Sequence, residues 1–544
     1  MSQISTELVT LQHPESVAVR SAAQSVRSFG RTYFSNSSQP LAEGVGDGNE
    51  GQNDEPNLSR GTIASVIASV TLVAGLNSMT SGIITVGLPT IAADLKLSEE
   101  LLIWPSAISP LTCGCTFLLS GSMVDVFGSR IMYLLGCFLQ CVFVLGCGLS
   151  KTAVQLLICL GLGGISISLC LPSAVSLITN TLPTGKPRNL AFGSMGGSQP
   201  AGFAVGLVLG GILCDTIGWR YGFYICAAIN AFVVVVAIFG LPKDSRPSMP
   251  TSWDRRWEVL SSDVDWIGAL IACISLALMS YILASVTGNS ASIREPLNAS
   301  LLAIALALIP CFILWMGWRE RCNKLPLIPN SLWKNRSFTT ICFAVFLIWG
   351  SFNAAVILLS FFFQDVQLLT PIQTSIRFLP SVITGVLVNV IIGFVIHRIR
   401  ANWIVFIAVA VTSLAPLLLA LCNPSWTYWA CAFLASCLLP AGADALFTIS
   451  NLLITAAFPS ETQGLAGGVF NTVSQIGKSV GLSLAQVIAT RVTARSKYQD
   501  TSNPMARLEG YRASFWFCFA INVATLMISI WGLRTIGKVG HKRD

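Results

Sequence analysis

Charge is what this sequence has least of. Asp, Glu, Lys and Arg make up 11% of its 544 residues, where a soluble globular chain carries about 25%. With 53% hydrophobic residues and a mean hydropathy of +0.69, the composition excludes a chain whose main solvent is water. Histidine is scarcer still. His13, His397 and His541 stand far apart and outside every apolar run, so they build neither a metal centre nor a hydrolytic triad. A phosphate-binding loop is also missing: Gly477-Lys478-Ser479 resembles the end of one, but Thr472 stands where that motif needs its first glycine. ATP hydrolysis is therefore excluded, and no cofactor is expected. Residues 1–60 lack any apolar run and read as a disordered tail. They also lack the short apolar region and cleavage site of a signal peptide, so the first apolar segment is expected to stay as an anchor. Cysteine alone is plentiful, with 17 residues. Most, such as Cys137, Cys141, Cys147, Cys159 and Cys170, lie inside apolar segments and read as small core residues without a disulfide framework.

Beyond residue 60 the chain is dominated by apolar runs, each long enough to cross a hydrocarbon core about 30 Å thick. Helices satisfy their own backbone polar groups in such a medium. Spans are expected near 62–86, 101–123, 131–150, 153–178, 190–213, 221–241, 264–286, 298–317, 338–363, 374–396, 402–421, 428–456, 464–489 and 513–533. The net charge of +8 is scattered over short loops and reads as topology, with no nucleic-acid partner implied. With both tails on one side, that side carries 22 Lys and Arg and the opposite side ten, half of them in the 491–512 loop. The excess places both termini in the cytoplasm.

A weak repeat runs through the chain. Gly121-Ser-Met-Val-Asp125-Val-Phe-Gly128-Ser-Arg130 follows the second span, and Gly393-Phe-Val-Ile-His397-Arg398-Ile-Arg400 follows the tenth. With the seventh and eighth spans taken as an insertion, the rest divides into parallel six-helix halves, at residues 61–241 and 337–534. Residues 242–336 hold cytoplasmic loops and the two inserted helices, and residues 535–544 a short tail. The segment at 121–130 resembles the signature loop of the major facilitator superfamily. Its glycines suit a tight turn, and Asp125 and Arg130 suit charge pairing or helix capping at the membrane surface. The resemblance implies a cytoplasmic gating loop that stabilises one end state of alternating access.

In the fifth span Gly202, Gly206 and Gly210 recur every four residues, with Gly211 beside the last. Such a ridge lets helix backbones approach closely, and it resembles the antiporter motif of drug exporters in that superfamily. Leu207 stands where the motif has proline, and Pro200 lies nearly two turns earlier. Together with GLPTIAADL at 87–95, GWRYGFYI at 218–225, DWIG at 265–268 and AGGVFNTVSQIGKSVGL at 466–482, the chain resembles the fourteen-span drug:proton antiporters, closest to their fungal aminotriazole-resistance-type and metabolite-efflux branch. Two positions depart from the family pattern. Thr80 replaces a first-span aspartate, and Leu160, followed by Gly163 and Gly164, replaces a fourth-span arginine, so neither usual N-terminal candidate for proton coupling is present.

What remains ionisable at membrane depth is Asp444 in the twelfth span and Lys478 in the thirteenth. An uncompensated charge there costs at least about 2.5 kcal/mol. Each is expected to face a partner or a wet cavity, and an ion pair between the two adjacent helices is one arrangement; fixing helix register is its structural reading and proton coupling its functional one. Asn471, Gln475 and Lys478 share a helix face, as do Asn77, Ser81 and Thr85, while Asn353 and Asn389 sit in the ninth and tenth spans. Interhelical hydrogen bonding accounts for any one of them; as a set, with Trp349, Phe352, Phe361 and Phe362, they are candidates to line a central cavity. The expectation is an all-α major-facilitator bundle of six, two and six helices and not an enzyme. It would work as a single chain in the plasma membrane or the vacuolar membrane, exporting drugs, toxins or metabolites against protons. A carrier of borate, a siderophore or an amino acid, and a non-transporting membrane sensor, are the alternatives; a channel is disfavoured by the repeat.

Overall fold

The computed structural model describes residues 60–98, 101–182, 186–242, 264–288, 295–322, 324, 326–395, 398–457, 460–498 and 503–533. The two tails, the Lys243–Asp263 stretch, His397 and the other two histidines lie outside the described residues. Among the described residues every element is helical. The helices are α1 Arg60–Asp94, α2 Trp104–Phe127, α3 Ser129–Leu149, α4 Ala153–Thr181, α5 Lys186–Asp215, α6 Arg220–Gly240, α7 Trp266–Gly288, α8 Pro296–Arg321, α9 Arg336–Phe361, α10 Pro371–Val395, α11 Ala401–Leu421, α12 Ala432–Leu438, α13 Ala441–Ala457, α14 Ser460–Ala494 and α15 Pro504–Gly532.

Among the described residues, twelve membrane-length segments are apolar enough to cross a bilayer, with α12 and α13 counting as one. Their lipid-facing sides carry exposed apolar residues such as Phe239, Leu314 and Phe394. The other two expected spans are also present as helices, α7 and α14. Helix α14 is less apolar because it carries the polar face read from sequence, and it is buried among α2, α9 and α15 instead of facing lipid. The twelfth span is broken at Leu439–Pro440, where proline cannot donate into the ladder.

The six-plus-six repeat recurs in side-chain detail. At the end of α1, Asp94 pairs with Arg220 at the start of α6 (2.7 Å). In the second half Asp365, in the π turn ending the ninth span, takes a hydrogen bond from Tyr511 of α15 (2.7 Å) and pairs with Arg507 (3.4 Å). Each half thus closes its first helix onto its sixth at the same end. The inserted pair is held together by buried Asp265, which accepts from the Gly268 backbone (2.9 Å) and the Trp315 indole (3.0 Å) with Arg319 nearby at 3.7 Å. Helix α7 then lies against α2 of one half and α14 of the other.

Candidate functional site

Among the described residues, the hydrogen bonds that join the halves lie at one end. Opposite the start of α1, Ser360 donates to the Thr85 carbonyl (2.7 Å) and Gln364 to Val86 (2.9 Å). Ser375 donates to Leu207 (2.7 Å), and the Ile372 amide at the head of α10 donates to Asp215 of α5 (3.0 Å). At the other end Gly121, Gly193, Gly196, Gly197 and Gly467 all face open space. Among the described residues, the space between the halves, the cleft, is therefore the less closed at the end where α1 begins.

The α5 ridge sits where close approach is required. A Cβ on Gly202 or Gly206 would overlap the Gly75 and Met79 backbone of α1, and one on Gly210 would come within 2.9 Å of the Ile83 Cα. Gly211 instead packs across the halves, on Pro371, Ile372 and Ser375 of α10. The second half repeats the seam: Gly477 and Gly481 of α14 lie against Phe346 and Gly350 of α9. The four-residue spacing of Gly477 and Gly481 was the signal for it. In the signature loop Gly128 adopts φ 101° between α2 and α3, a conformation that favours glycine. Arg130 donates to the Ile238 carbonyl of α6 (2.8 Å), and Asp125 also has a partner. Gly121 takes no part in the turn.

Of the two arrangements open to Asp444 and Lys478, the ion pair between them is not formed. Glycine-mediated packing draws α14 onto α9, so Lys478 lies with its ammonium 4.3 Å from the centre of the Trp349 ring. Its own carbonyl accepts from the Asn353 amide (3.2 Å). Asp444 instead takes a hydrogen bond from Asn389 of α10. The Asn389 amide also donates to Gly385 (3.0 Å), and its oxygen accepts from Thr448 (2.9 Å). Asp444 lies in the first turn of α13, where the positive end of a helix favours an anion. The helix break after Pro440 creates that turn at membrane depth. Both ionisable groups are half-buried. One aromatic group joins them: Trp349 packs edge-on against Phe352 (5.6 Å) and Phe447 (6.2 Å), and Phe447 lies one turn from Asp444. Phe447, Thr448 and Gly385 carried no sequence signal beyond ordinary helix composition.

The remaining candidates divide. Asn77 is half-buried and Ser81 exposed, while Thr85 is buried at the sealed end. The stripe therefore runs down the cleft wall to its closed floor. Asn471 donates within its own helix to Gly467 (2.9 Å). Gln475 lies on the α2–α14 contact, its Cβ 3.3 Å from the space a Gly114 Cβ would fill. Phe361 and Phe362 belong to the fully buried core, each 1% exposed, with Phe361 stacked on Tyr511; unlike Trp349 and Phe352, they do not line the cleft.

The profile of the Major Facilitator Superfamily matches residues 70–482. An "MFS-type transporter 1" of Pyricularia oryzae is 38% identical, covering 87% of this chain and 84% of its own. A "low affinity ammonium transporter" of Saccharomyces cerevisiae is 27% identical, covering 76% of this chain and 77% of its own. The "efflux pump terJ" of Aspergillus terreus is 24% identical over 88% and 89%. Among solved structures, a bacterial homologue of the human lysosomal transporter Spinster, described as inward-facing and unoccupied, superposes with a TM-score of 0.59 at 16% identity, covering 88% of this chain and 98% of that one.

Proposed function

The chain belongs to the Major Facilitator Superfamily and is one of its membrane transporters, and on that premise we propose that it exports small organic molecules in exchange for protons. The carrying observation is Asp444, a half-buried carboxylate in the first turn of α13 whose hydrogen-bond partner on α10 is the neutral amide Asn389. A carboxylate held by neutral partners gains or loses a proton without breaking an ion pair. Its hydration changes as the cleft opens to one side or the other. Lys478, capped by the Trp349 face, would attract an anionic or polarisable group of the substrate, while the Trp349–Phe352–Phe447 cluster supplies the apolar wall. The similarity to efflux pump terJ supports the outward direction.

In this reading the termini are cytoplasmic, the structure faces inward, and the single chain works in the plasma membrane, needing no cofactor beyond the proton gradient. The similarity to an ammonium transporter supports a second reading, a carrier of a small cation. A fixed lysine in the cleft opposes that reading, since like charges repel at low dielectric. The test is uptake of a substrate panel into inside-out vesicles, with and without an imposed pH gradient. The proposal predicts accumulation that requires acid inside the vesicle, and its loss in Asp444→Asn at normal expression. Gradient-driven accumulation by that variant would overturn the role of Asp444; accumulation indifferent to the gradient would overturn antiport.

A further inference from the structure

The cysteines are not scattered singly through the helices. Four contacts join thiols: Cys137 with Cys170 at 3.9 Å, Cys115 with Cys273, Cys147 with Cys159, and Cys422 with Cys431. Among the described residues only the last pair lies outside the spans. Cys422 caps the end of α11 and Cys431 the start of α12, so they flank the loop that joins the two.

The loop ends are brought together by structure on both sides. The Cys431 sulfur reaches the Leu418 carbonyl of α11 (3.1 Å), one turn before Cys422 on the same helix face. The Arg512 guanidinium of α15 holds the Cys422 carbonyl (2.8 Å). Between them the Tyr428 hydroxyl donates to the Arg377 carbonyl of α10 (2.8 Å), and its ring lies beside the Arg377 guanidinium. Burial pushes that phenol up to about 12, so it remains a donor at every physiological pH. The Cys422 and Cys431 side chains also touch, and that contact holds the Cys431 thiol below its ordinary value and pushes the Cys422 thiol up.

We propose that Cys422 and Cys431 are oxidised to a disulfide that staples the α11–α12 loop on the outer face of the mature transporter. The inference rests on the proposed orientation, which puts this loop on the non-cytoplasmic, oxidising side. The oxidant is a disulfide donor met before the loop packs, either a small-molecule disulfide or a protein one. The Cys431 thiolate attacks one donor sulfur and expels the other as a thiolate. Cys422, giving its proton to water, then attacks the Cys431 sulfur and expels the second donor thiolate. Two protons and two electrons leave the chain, and the donor is reduced to two thiols. The staple fixes Tyr428 against Arg377 and so holds α12 to α10 beside the broken twelfth span.

The test uses full-length protein from intact cells, denatured and alkylated with N-ethylmaleimide without reductant, then cut with chymotrypsin, which cleaves between the two cysteines. The proposal expects a Cys422–Cys431 linked peptide pair that separates on reduction, persists in Cys437→Ser and disappears in Cys431→Ser. In parallel, Ser425→Cys in a Cys422→Ser, Cys431→Ser background is probed on intact cells with a membrane-impermeant maleimide. Alkylated Cys422 and Cys431 with a labelled Ser425→Cys would overturn the disulfide and leave the orientation standing. Alkylated thiols with an unlabelled Ser425→Cys would overturn the disulfide through the orientation it needs. A link from either cysteine to Cys437 would also overturn the pairing.

Discussion

Gly385 is the residue on which the geometry of Asp444 most depends. Its missing side chain leaves room for the carboxylate: a Cβ there would lie 2.9 Å from the Asp444 Oδ2, closer than packed atoms tolerate. Gly385→Ala is therefore expected to displace the carboxylate from Asn389 while leaving the fold intact, because alanine is otherwise at home in a helix. Vesicle transport should fall at least about tenfold, the equivalent of one lost hydrogen bond to a charged group, with normal yield in size-exclusion chromatography. Unchanged gradient-driven transport would show that the carboxylate's position is not critical. At this scale the sequence was half informative. Scarcity alone marked Asp444 and Lys478 as the ionisable residues at membrane depth. Their partners were not legible, because helices adjacent in the chain need not be adjacent along the faces that carry the charges.

At the scale of helices, the glycines sort by what they meet. Valine at Gly206 would force α5 away from the Met79 backbone of α1, and since lipid supplies no hydrophobic force to hold helices together, the contact itself is the adhesion. Gly206→Val is expected to abolish recovery of monodisperse protein. Gly121→Ala, facing open space, should be recovered at wild-type yield; equal recovery of both would deny the ridge its role. The helices themselves were plainly written in the hydropathy, and fourteen spans were expected and found as helices. Their ends were not. Helix α1 runs eight residues past the expected boundary to Asp94, because beyond the apolar stretch Arg220 and the Trp219 indole hold it, a tertiary contact no local pattern encodes. The break at Leu439–Pro440 was likewise missed: proline within a span is common in this chain, with Pro89, Pro110 and Pro172 sitting inside unbroken helices.

For the whole molecule, the hydrogen bonds that join the halves among the described residues lie at the closed end and are few, so the balance between states should be movable. Ser360 and Gln364 each contribute a hydrogen bond from α9 and its π-turn extension to the α1 backbone. Each is worth about 0.5–1.5 kcal/mol net, so the pair holds the closed end by roughly 1–3 kcal/mol, or about 5- to 150-fold in the ratio of states. Removing them in Ser360→Ala, Gln364→Ala leaves the Thr85 and Val86 carbonyls to water once that end opens, a smaller penalty than burying them unpaired. The equilibrium should shift toward the conformer closed at the other end. Spin labels on Gly193→Cys and Gly467→Cys, in a background where the reactive native thiols are replaced, report it, since both positions meet open space at that end and lie on opposite halves. Pulsed dipolar distances should gain a shorter population in the double variant. A distribution identical to that of the parent would mean that the hydrogen bonds at the closed end are not what sets the resting state, and would shift that role to the Gly211 contact with Pro371 and Ile372.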